Sequence, residues 1–499
     1  MSPNLYAALS ASFDKARDRV LLETEDELTF TGADFARESA KYAGALLASG
    51  AKRGDRVAVQ VDKSPACLFH YLGCLRAGLV YLPLNTAYQR GELMYFLQDA
   101  EPTIVVCKPE SLDLMRELSA AHAQVMTLDE KGRGSLADAA AALPDDFETV
   151  ESKPDDVAVI LYTSGTTGRS KGAMVTHRNL LSNARALVDC WKFSDRDVLL
   201  HALPVFHIHG LFVANHCALL SGARLLWHRK FDPALVLRDL SRATVMMGVP
   251  TFYTRLLAQP QFDRHICRNM RLFISGSAPL LLETFKEFQM RSGQTILERY
   301  GMSEAGMICS NPLDEERRGG SVGFPLPGVT VRVADEQDRP LPGGEIGGIQ
   351  IKGENVFAGY WHMPEKTREE FAADGYFRTG DVGTFDADGY LSIVGRAKDL
   401  IISGGYNVYP KEIELALDLL PGVAESAVIG VPHPDFGEAV AAVVVAKKGE
   451  NVDPSALIAE LKKNFANYKV PKQVHLVEDL PRNLMGKVQK ALLRERYGK

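Results

Sequence analysis

The sequence predicts an α/β fold with a large N-terminal domain of layered α/β sheets and a small, mobile α+β C-terminal domain. At 499 residues the chain exceeds the ~250–300 residues at which single cores stop growing. Buried-strand patterns alternate with helical patterns over about 400 residues, and after about residue 324 prolines and glycines separate short alternating strands. We therefore assign residues 1–397 to the N-terminal domain, with a β-rich subdomain at about 324–397, and residues 398–499 to the C-terminal domain.

The individual elements follow from local patterns of apolar residues. Short apolar runs, which are typical of strands buried on both faces, predict N-terminal strands at residues 56–60, 80–84, 103–106, 157–161, 224–226, 244–247 and 271–274. Helical periodicity predicts a helix at residues 66–77. In the C-terminal domain we expect a helix at 410–420, strands at 425–431 and 439–446, and a second helix at 453–465.

Composition and charge exclude several functional classes. The hydrophobic fraction of 46% and charged fraction of 24% are those of an ordinary globular protein. A net charge of -6 lacks the basic excess of a phosphate-backbone binder, so we expect no nucleic-acid partner. No apolar run approaches ~18 residues, so we expect no membrane partner. The start of the chain does not have the pattern of a signal peptide, and seven dispersed cysteines without a CxxC pair predict a reduced, cytoplasmic protein.

The segment from Tyr162 to Gly172 has the composition of a polyphosphate-binding loop. It follows a predicted strand and combines three glycines, several hydroxyl side chains and the cations Arg169 and Lys171, and glycines let the backbone approach a ligand closely. It differs from a Walker A loop because Lys171 is followed by glycine instead of serine or threonine. The predicted phosphate-binding residues are Thr163, Ser164, Gly165, Thr166, Thr167, Gly168 and Lys171.

Six further motifs follow this loop in order, at residues 204–210, 275–280, 298–304, 376–381, 395–399 and 481–487. Together they resemble the signatures of the adenylate-forming superfamily, which contains acyl-CoA synthetases, luciferases and peptide-synthetase adenylation domains. The resemblance covers essentially the whole chain. It implies an AMP-forming acid–thiol ligase that uses ATP and Mg²⁺ to convert a carboxylic acid to an acyl-adenylate and then transfers the acyl group to coenzyme A.

The resemblance also implies roles for the nucleotide-site residues. Tyr300 stacks on adenine, Ser303 contacts phosphate, and Asp381 and Arg396 hold the ribose hydroxyls. Glu304 holds Mg²⁺, a cation that prefers carboxylate and phosphate oxygens. The remaining residues assigned to the nucleotide or to coenzyme A are Ser277, Ala278, Pro279, Arg299, Gly301, Met302, Gly404, Gly405 and Tyr406.

Lys487 is the predicted central catalytic residue, acting with Glu304 and His207. A lysine between the attacking carboxylate and the α-phosphate orients both groups and offsets the charge of the transition state. Asn483 stands where relatives often have threonine. In bacterial relatives a similar lysine loop is acetylated, which removes this charge. A lysine acetyltransferase that acts on Lys487 is therefore a predicted partner.

Lys398 occupies the position of the family's hinge. By analogy, the small domain rotates after adenylation, withdraws the lysine loop and brings residues 403–406 to the site, where they help to admit the thiol.

The acid is predicted from cations beside the acyl-pocket motifs. Arg255, His207 and Ser277 form the predicted substrate site, and Arg299 is a cation where many relatives have a neutral residue. If Arg255 points inward, its burial requires an anion, and a second substrate carboxylate binds arginine bidentately. The chain most resembles the malonyl-CoA synthetase branch, which implies malonate, with methylmalonate tolerated. Alternatively, Arg255 lies exposed on its helix. His207 and His209 lack the further ligands of a zinc site.

Three other functions remain open on the sequence alone. They are a CoA ligase for a short-chain, medium-chain or aryl monocarboxylate, an adenylation enzyme that loads a carrier protein, and a non-catalytic nucleotide-binding regulator. Glu304, Asp381, Arg396 and Lys487 occur together, which favours catalysis over the regulator.

Overall fold

The computed structural model describes residues 4–163, 170–403, 406–433, 437–483 and 486–498. Within them the helices α1 to α15 are, in chain order, Leu5–Lys15, Gly32–Ala48, Pro65–Arg76, Arg90–Ala100, Leu112–Leu118, Ser135–Ala141, His177–Cys190, Asn215–Ser221, Pro233–Leu240, Pro250–Leu257, Leu282–Ser292, Pro364–Glu369, Pro410–Asp418, Pro454–Asn464 and Lys490–Tyr497. None of these helices is both long and apolar enough to cross a lipid bilayer.

The strands β1 to β25 of the same described residues are, in chain order, Val20–Thr24, Thr29–Thr31, Arg56–Gln60, Val80–Pro83, Ile104–Cys107, Gln124–Thr127, Val157–Thr163, Lys171–Thr176, Val198–His201, Arg224–Trp227, Val245–Gly248, Leu272–Ser275, Leu297–Met302, Gly306–Ser310, Phe324–Pro325, Val329–Ala334, Gly347–Gly353, Gly359–Tyr360, Phe377–Phe385, Leu391–Arg396, Ile401–Ser403, Tyr406–Val408, Val423–His433, Gly437–Ala446 and Gln473–Val477.

The largest sheet has the order β15-β14-β13-β12-β11-β9-β10-β1-β2. The neighbours from β13 to β1 in this order pair in parallel. Strands β11 and β12 are four residues long and wholly buried, as expected for parallel strands that helices cover on both faces. The carboxyl ends of these strands therefore meet at one edge, which is where open α/β sheets bind ligands.

The second sheet has the order β18-β8-β7-β4-β3-β5-β6. Its antiparallel strands β7 and β8 flank the predicted phosphate loop, of which residues 164–169 lie outside the described residues. The short strand β18 pairs with β8, with Tyr360 opposite Ala173. This pairing brings a later segment of the chain against the base of the loop.

A four-stranded antiparallel sheet, β16-β17-β19-β20, forms the predicted β-rich subdomain. Its register places Asp381 on β19 opposite Arg396 at the end of β20. Side chains directly opposite each other on antiparallel strands lie close together. The sheet therefore holds these two predicted nucleotide residues as a pair.

The C-terminal segment forms a smaller α+β unit. Its sheet has the order β22-β21-β24-β23, with β25 parallel to β24, and it encloses a separate core that includes Ile413, Val428 and Leu457. Since single cores are limited in size, this second core accounts for a separate small unit.

The predicted fold class is confirmed, and the predicted strands and helices occur within about two residues of the expected ends. The sequence did not predict the hairpin β21–β22 or strand β25, whose exposed residues weaken the apolar signal. The domain boundary at residue 397 stays a prediction. It falls between β20, which ends at Arg396, and β21, which begins at Ile401.

Candidate active site

The predicted motifs converge at the carboxyl ends of the parallel strands. His207 and His209 follow β9, Ser277 follows β12, and β13 leads into the turn that carries Glu304. A crevice at this edge is the expected ligand site of an open α/β sheet. Motifs that are far apart in the sequence therefore lie together at this edge of the sheet, which we call the cleft.

One end of the cleft is built around Asp381, which is 3% exposed. Its Oδ1 lies 2.7 Å from Nε of Arg396, and its Oδ2 accepts a hydrogen bond from the Tyr300 hydroxyl. Burial raises the pKa of Tyr300 well above its ordinary value, so this hydroxyl stays a donor. Two donors thus hold Asp381 in place, and a carboxylate is the acceptor suited to a diol.

Glu304 is a second buried carboxylate in the cleft, at 7% exposure. Its Oε1 accepts a hydrogen bond from the Tyr360 hydroxyl at 3.1 Å and one from Thr163 Oγ1 at 3.4 Å. Burial raises the pKa of Glu304, whereas the bond from Tyr360 and the charges of Lys171 and Arg396 oppose this rise. Tyr360 therefore favours the ionised carboxylate that a cation requires.

The residues around Glu304 fit a magnesium ion that is shared with phosphate. Among the described residues, His, Cys, Asp and Glu form no cluster of three or more able to hold a metal alone. Mg²⁺ commonly uses one or two carboxylates together with substrate phosphate oxygens. When bound, it would neutralise phosphate charge beside Glu304.

Lys171 lies at the base of the phosphate loop, with its Nζ 3.2 Å from Glu370 Oε1 and 4.2 Å from the centroid of the Tyr360 ring. The lysine is 9% exposed. Its predicted contact with phosphate stays a prediction. In the structure its charge helps to fix Tyr360, and through Tyr360 it acts on Glu304.

The loop after β12 combines strain with a polar contact. Ser277 has φ of +72°, a left-handed conformation that costs a non-glycine residue energy and is often found at functional sites. Its Oγ lies 3.3 Å from His209 Nδ1. Of the two residues that follow, Ala278 is half-buried and Pro279 is exposed. The loop thus fixes one face of His209.

Arg299 is the buried arginine of the cleft, at 5% exposure. Its guanidinium lies against Gly276, where an added Cβ would come within 2.3 Å of Cζ. Within the described residues its Nε and Nη2 have no hydrogen-bond partner, and no carboxylate forms a salt bridge with it. Burial lowers the pKa of Arg299 to about 9, and the nearby Tyr253 opposes this. The group therefore stays cationic at neutral pH and lacks an anion.

Two histidines line the same end of the cleft as neutral imidazoles. Burial, followed by the charges of Lys487 and Arg299, lowers the pKa of His207 to about 3. Burial, followed by Arg299 and His207, also lowers the pKa of His209, whose Nε2 has no hydrogen-bond partner within the described residues. The unpaired donors of Arg299 are what an anion would satisfy, and His209 Nε2 is a further polar atom beside them.

Lys487 lies between the two ends of the cleft. Its N–H donates to Asn483 Oδ1 at 3.0 Å, and Asn483 N–H donates to Lys487 O at 2.9 Å, so asparagine suits this position. Lys487 has an exposed surface, but protein atoms surround it closely enough that partial burial, followed by the charges of Arg396 and Arg299, lowers its pKa. The Lys487 ammonium therefore lies close enough to interact electrostatically with Asp381 and Arg396 on one side and with Arg299 on the other.

The expectation that Arg255 points inward is wrong. Tyr253, Leu256 and Leu257 form the buried stripe of α10, and Arg255 lies on the exposed side. Its charge can be hydrated, so it needs no substrate anion. Arg299, and not Arg255, is the buried arginine that lacks an anion among the described residues. Its signal in the sequence was a cation inside the strand motif Leu297–Met302, where many relatives have a neutral residue.

The remaining predicted residues lie as follows. Gly301, Met302 and Ser303 are half-buried, and an added Cβ at Gly301 would come within 2.4 Å of Gly306 O. Lys398 is exposed in a 3₁₀ turn at Ala397–Asp399. Tyr406 is 59% exposed and stacks on Tyr468, with ring centroids 4.6 Å apart. The predicted site residues outside the described ones are Ser164, Gly165, Thr166, Thr167, Gly168, Gly404 and Gly405.

Most of the chain matches known protein families. The family described as AMP-binding enzyme matches residues 9–361, and the AMP-binding enzyme C-terminal domain matches residues 412–487. Feruloyl-CoA synthase from an Amycolatopsis species is 39% identical, covering 94% of each chain. Malonate–CoA ligase from Arabidopsis thaliana is 34% identical, covering 92% of this chain and 80% of the relative. The crystal structure of ATP-bound MatB from Rhodopseudomonas palustris is 53% identical and covers 100% of this chain and 99% of the other, with a TM-score of 0.97.

We expect Tyr360→Phe to weaken binding of Mn²⁺, used as a spectroscopic substitute for Mg²⁺, to the enzyme–ATP complex about tenfold at neutral pH. Losing the Tyr360 donor also raises the pKa of Glu304. As the pH is lowered, the variant should therefore lose Mn²⁺ at a higher pH than the wild type does. Electron paramagnetic resonance titrations across pH measure both effects. Tyr390→Phe is the control, because the Tyr390 hydroxyl donates to the backbone oxygen of Glu316. An unchanged pH dependence in Tyr360→Phe would contradict the assignment.

Proposed function

The chain belongs to the family of AMP-binding enzymes and is an ATP-dependent acyl-CoA synthetase, and we propose that the acid it activates is malonate. The enzyme uses ATP, Mg²⁺ and coenzyme A. In the first half-reaction the acid displaces pyrophosphate to form acyl-AMP. In the second, the thiol of coenzyme A displaces AMP to form the thioester.

The observation that carries malonate is the buried, unpaired Arg299. A buried cation without a counter-ion costs several kcal/mol, on the order of 3–5 for a broken buried pair. The second carboxylate of malonate supplies the missing anion, and the free Nε and Nη2 offer the fork that binds a carboxylate bidentately. The unpaired Nε2 of His209 adds a further polar group for the same carboxylate.

The second feature that supports malonate is the position of Lys487 relative to Arg299. The charges of both residues act on His207, so the two cations lie near one another. One carboxylate of a short diacid would pair with Arg299 while the other faces Lys487 and the α-phosphate. This placement makes the carboxylate beside Lys487 a near-attack nucleophile. The Lys487 ammonium then offsets charge that develops as the carboxylate attacks phosphorus.

A neutral aryl acid, as in the feruloyl-CoA synthase relative, would leave Arg299 unpaired. The same objection applies to acetate and to medium-chain acids, whose apolar ends cannot compensate a guanidinium. Malonate–CoA ligase is among the relatives, which agrees with the chemistry of the site. Methylmalonate keeps both carboxylates, and we propose it as a secondary substrate.

We expect Arg299→Met to lower kcat/KM for malonate at least about 100-fold, because a buried charged interaction is worth roughly 2–5 kcal/mol. Activity with acetate should stay within about threefold, since acetate makes no use of Arg299. Thioester formation with malonate, methylmalonate, succinate, acetate and ferulate measures the change. Methionine fills the volume without a charge, so folding should be kept.

The matched control is Arg255→Ala, which removes an exposed arginine and should leave kcat/KM for malonate within about twofold. A wild type that prefers ferulate or acetate would contradict malonate and leave the synthetase activity intact. Equal losses for every acid in Arg299→Met would contradict the role of Arg299 in selecting the diacid.

We also propose that the C-terminal domain begins at Lys398 and rotates about it between the two half-reactions. Lys398 lies in the 3₁₀ turn between β20 and β21, and Asp399 beside it forms a salt bridge of 2.7 Å with Arg494. The movement would bring Gly404, Gly405 and Tyr406 to the cleft for coenzyme A.

Lys398→Pro tests this rotation, because proline fixes φ and restricts the residue before it. We expect ATP–pyrophosphate exchange to stay within about threefold and thioester formation to fall at least about tenfold. Stopped-flow and steady-state assays separate the two steps. Equal loss of both half-reactions would rule out the hinge role.

We propose that a lysine acetyltransferase regulates Lys487 and that the protein is cytoplasmic. Lys487 is exposed to solvent, as a modifying enzyme requires, and acetylation removes its charge. All seven cysteines are free, which supports a reducing compartment. Treatment with an acetyltransferase and acetyl-CoA should add one acetyl group at Lys487 by mass spectrometry and abolish adenylation. An unmodified Lys487 would refute regulation by acetylation.

A further inference from the structure

Lys63 is a buried lysine outside every predicted motif, at 6% exposure. Its Nζ lies 2.7 Å from His201 Nδ1, 2.8 Å from His201 O and 3.0 Å from Leu203 O. The ammonium also lies 4.2 Å from the ring centroid of Trp227. Among the described residues no carboxylate forms a salt bridge with Lys63. Its partners are instead three acceptors at the start of one loop.

The hydrogen bonds of this cluster have a defined direction. An ammonium has three donors and no acceptor, and here three acceptors surround it. His201 Nδ1 therefore accepts, and the ring proton lies on Nε2, which is 2.9 Å from Gly210 O. These hydrogen bonds connect Lys63, through His201, to Gly210.

The segment held in this way is residues 203–210, which we name the histidine loop because it carries His207 and His209. Lys63 binds its first residue, Leu203, and reaches its last, Gly210, through His201. The loop closes tightly, since an added Cβ at Gly210 would come within 2.1 Å of Pro204 O.

We propose that Lys63 is a positioning residue that fixes the histidine loop in the geometry that receives the acid. His209 is the connection to the site, since it precedes Gly210 and its Nδ1 lies 3.3 Å from Ser277 Oγ. With this loop fixed, His209 Nε2, which has no hydrogen-bond partner among the described residues, is in place before the acid binds and needs no further ordering. The proposal rests on the proposed substrate site and adds the residue that holds one wall of it in place.

Three substitutions separate positioning from general stability. Lys63→Met removes the charge and leaves three acceptors unpaired, and His201→Leu breaks the connection to Gly210. His201→Gln keeps the connection, because the amide oxygen accepts from Lys63 while its NH₂ donates to Gly210 O. Lys108→Met is the control for loss of a partly buried lysine, since Lys108 contacts Asp62 and Glu110 at 3.8 and 3.4 Å and does not belong to the loop.

The measurement is ATP–pyrophosphate exchange with the acid that the wild type activates best. We expect Lys63→Met and His201→Leu to raise KM for the acid about tenfold or more, the value of one hydrogen bond to a charged group, with KM for ATP within about twofold. His201→Gln and Lys108→Met should stay within about threefold of wild type.

Wild-type behaviour of Lys63→Met, equal changes in both KM values, or His201→Gln as impaired as His201→Leu would each overturn the proposal. If Lys63→Met fails to fold, the contrast between the two His201 variants still decides it. A wild type that ignores malonate contradicts the proposed substrate alone, because the loop is tested with whichever acid is preferred.

Discussion

The proposed specificity depends on a buried arginine that forms no salt bridge with any carboxylate of the described residues. Arg299 lies within strand β13, against Gly276, and it has two free donors within the described residues. A protein interior rarely keeps such a group unless a ligand completes it. We propose that the substrate supplies the missing anion, so that binding selects an acid by its second charge. In this proposal the end of the cleft that holds Arg299 decides specificity.

The opposite end of the cleft contains two buried carboxylates, whereas the first end contains a buried cation. Asp381 and Glu304 are both buried, and each accepts hydrogen bonds from neighbouring side chains and lies near positive charges. Lys487 lies between these carboxylates and Arg299, and the charges on both sides affect its pKa. We propose that a diacid and a nucleotide meet beside the Lys487 ammonium, which offsets the charge that develops in their reaction. The parallel sheet makes this possible, because its strands end at one edge.

Local patterns predicted most of the fold, and the assignment of residues to the nucleotide stays a prediction. Short apolar runs fixed strands such as β3 and β12, and motif order gave Asp381, Arg396 and Glu304. The sequence could not distinguish Arg255 from Arg299, because an arginine's burial depends on which helical stripe or strand face meets the core. Tyr360 and Lys63 were missed for a related reason. Their partners, Glu304 and His201, are 56 and 138 residues away, so only tertiary structure brings them together.

The central claim is that the site selects a second negative charge on a short acid. The most direct test compares kcat/KM for malonate with that for monomethyl malonate, which keeps one carboxylate and replaces the other with a neutral ester. The account predicts a preference for malonate of at least about 100-fold, the value of one desolvated charged interaction. Comparable rates with both acids would contradict it, because they would show that Arg299 does not need an anion.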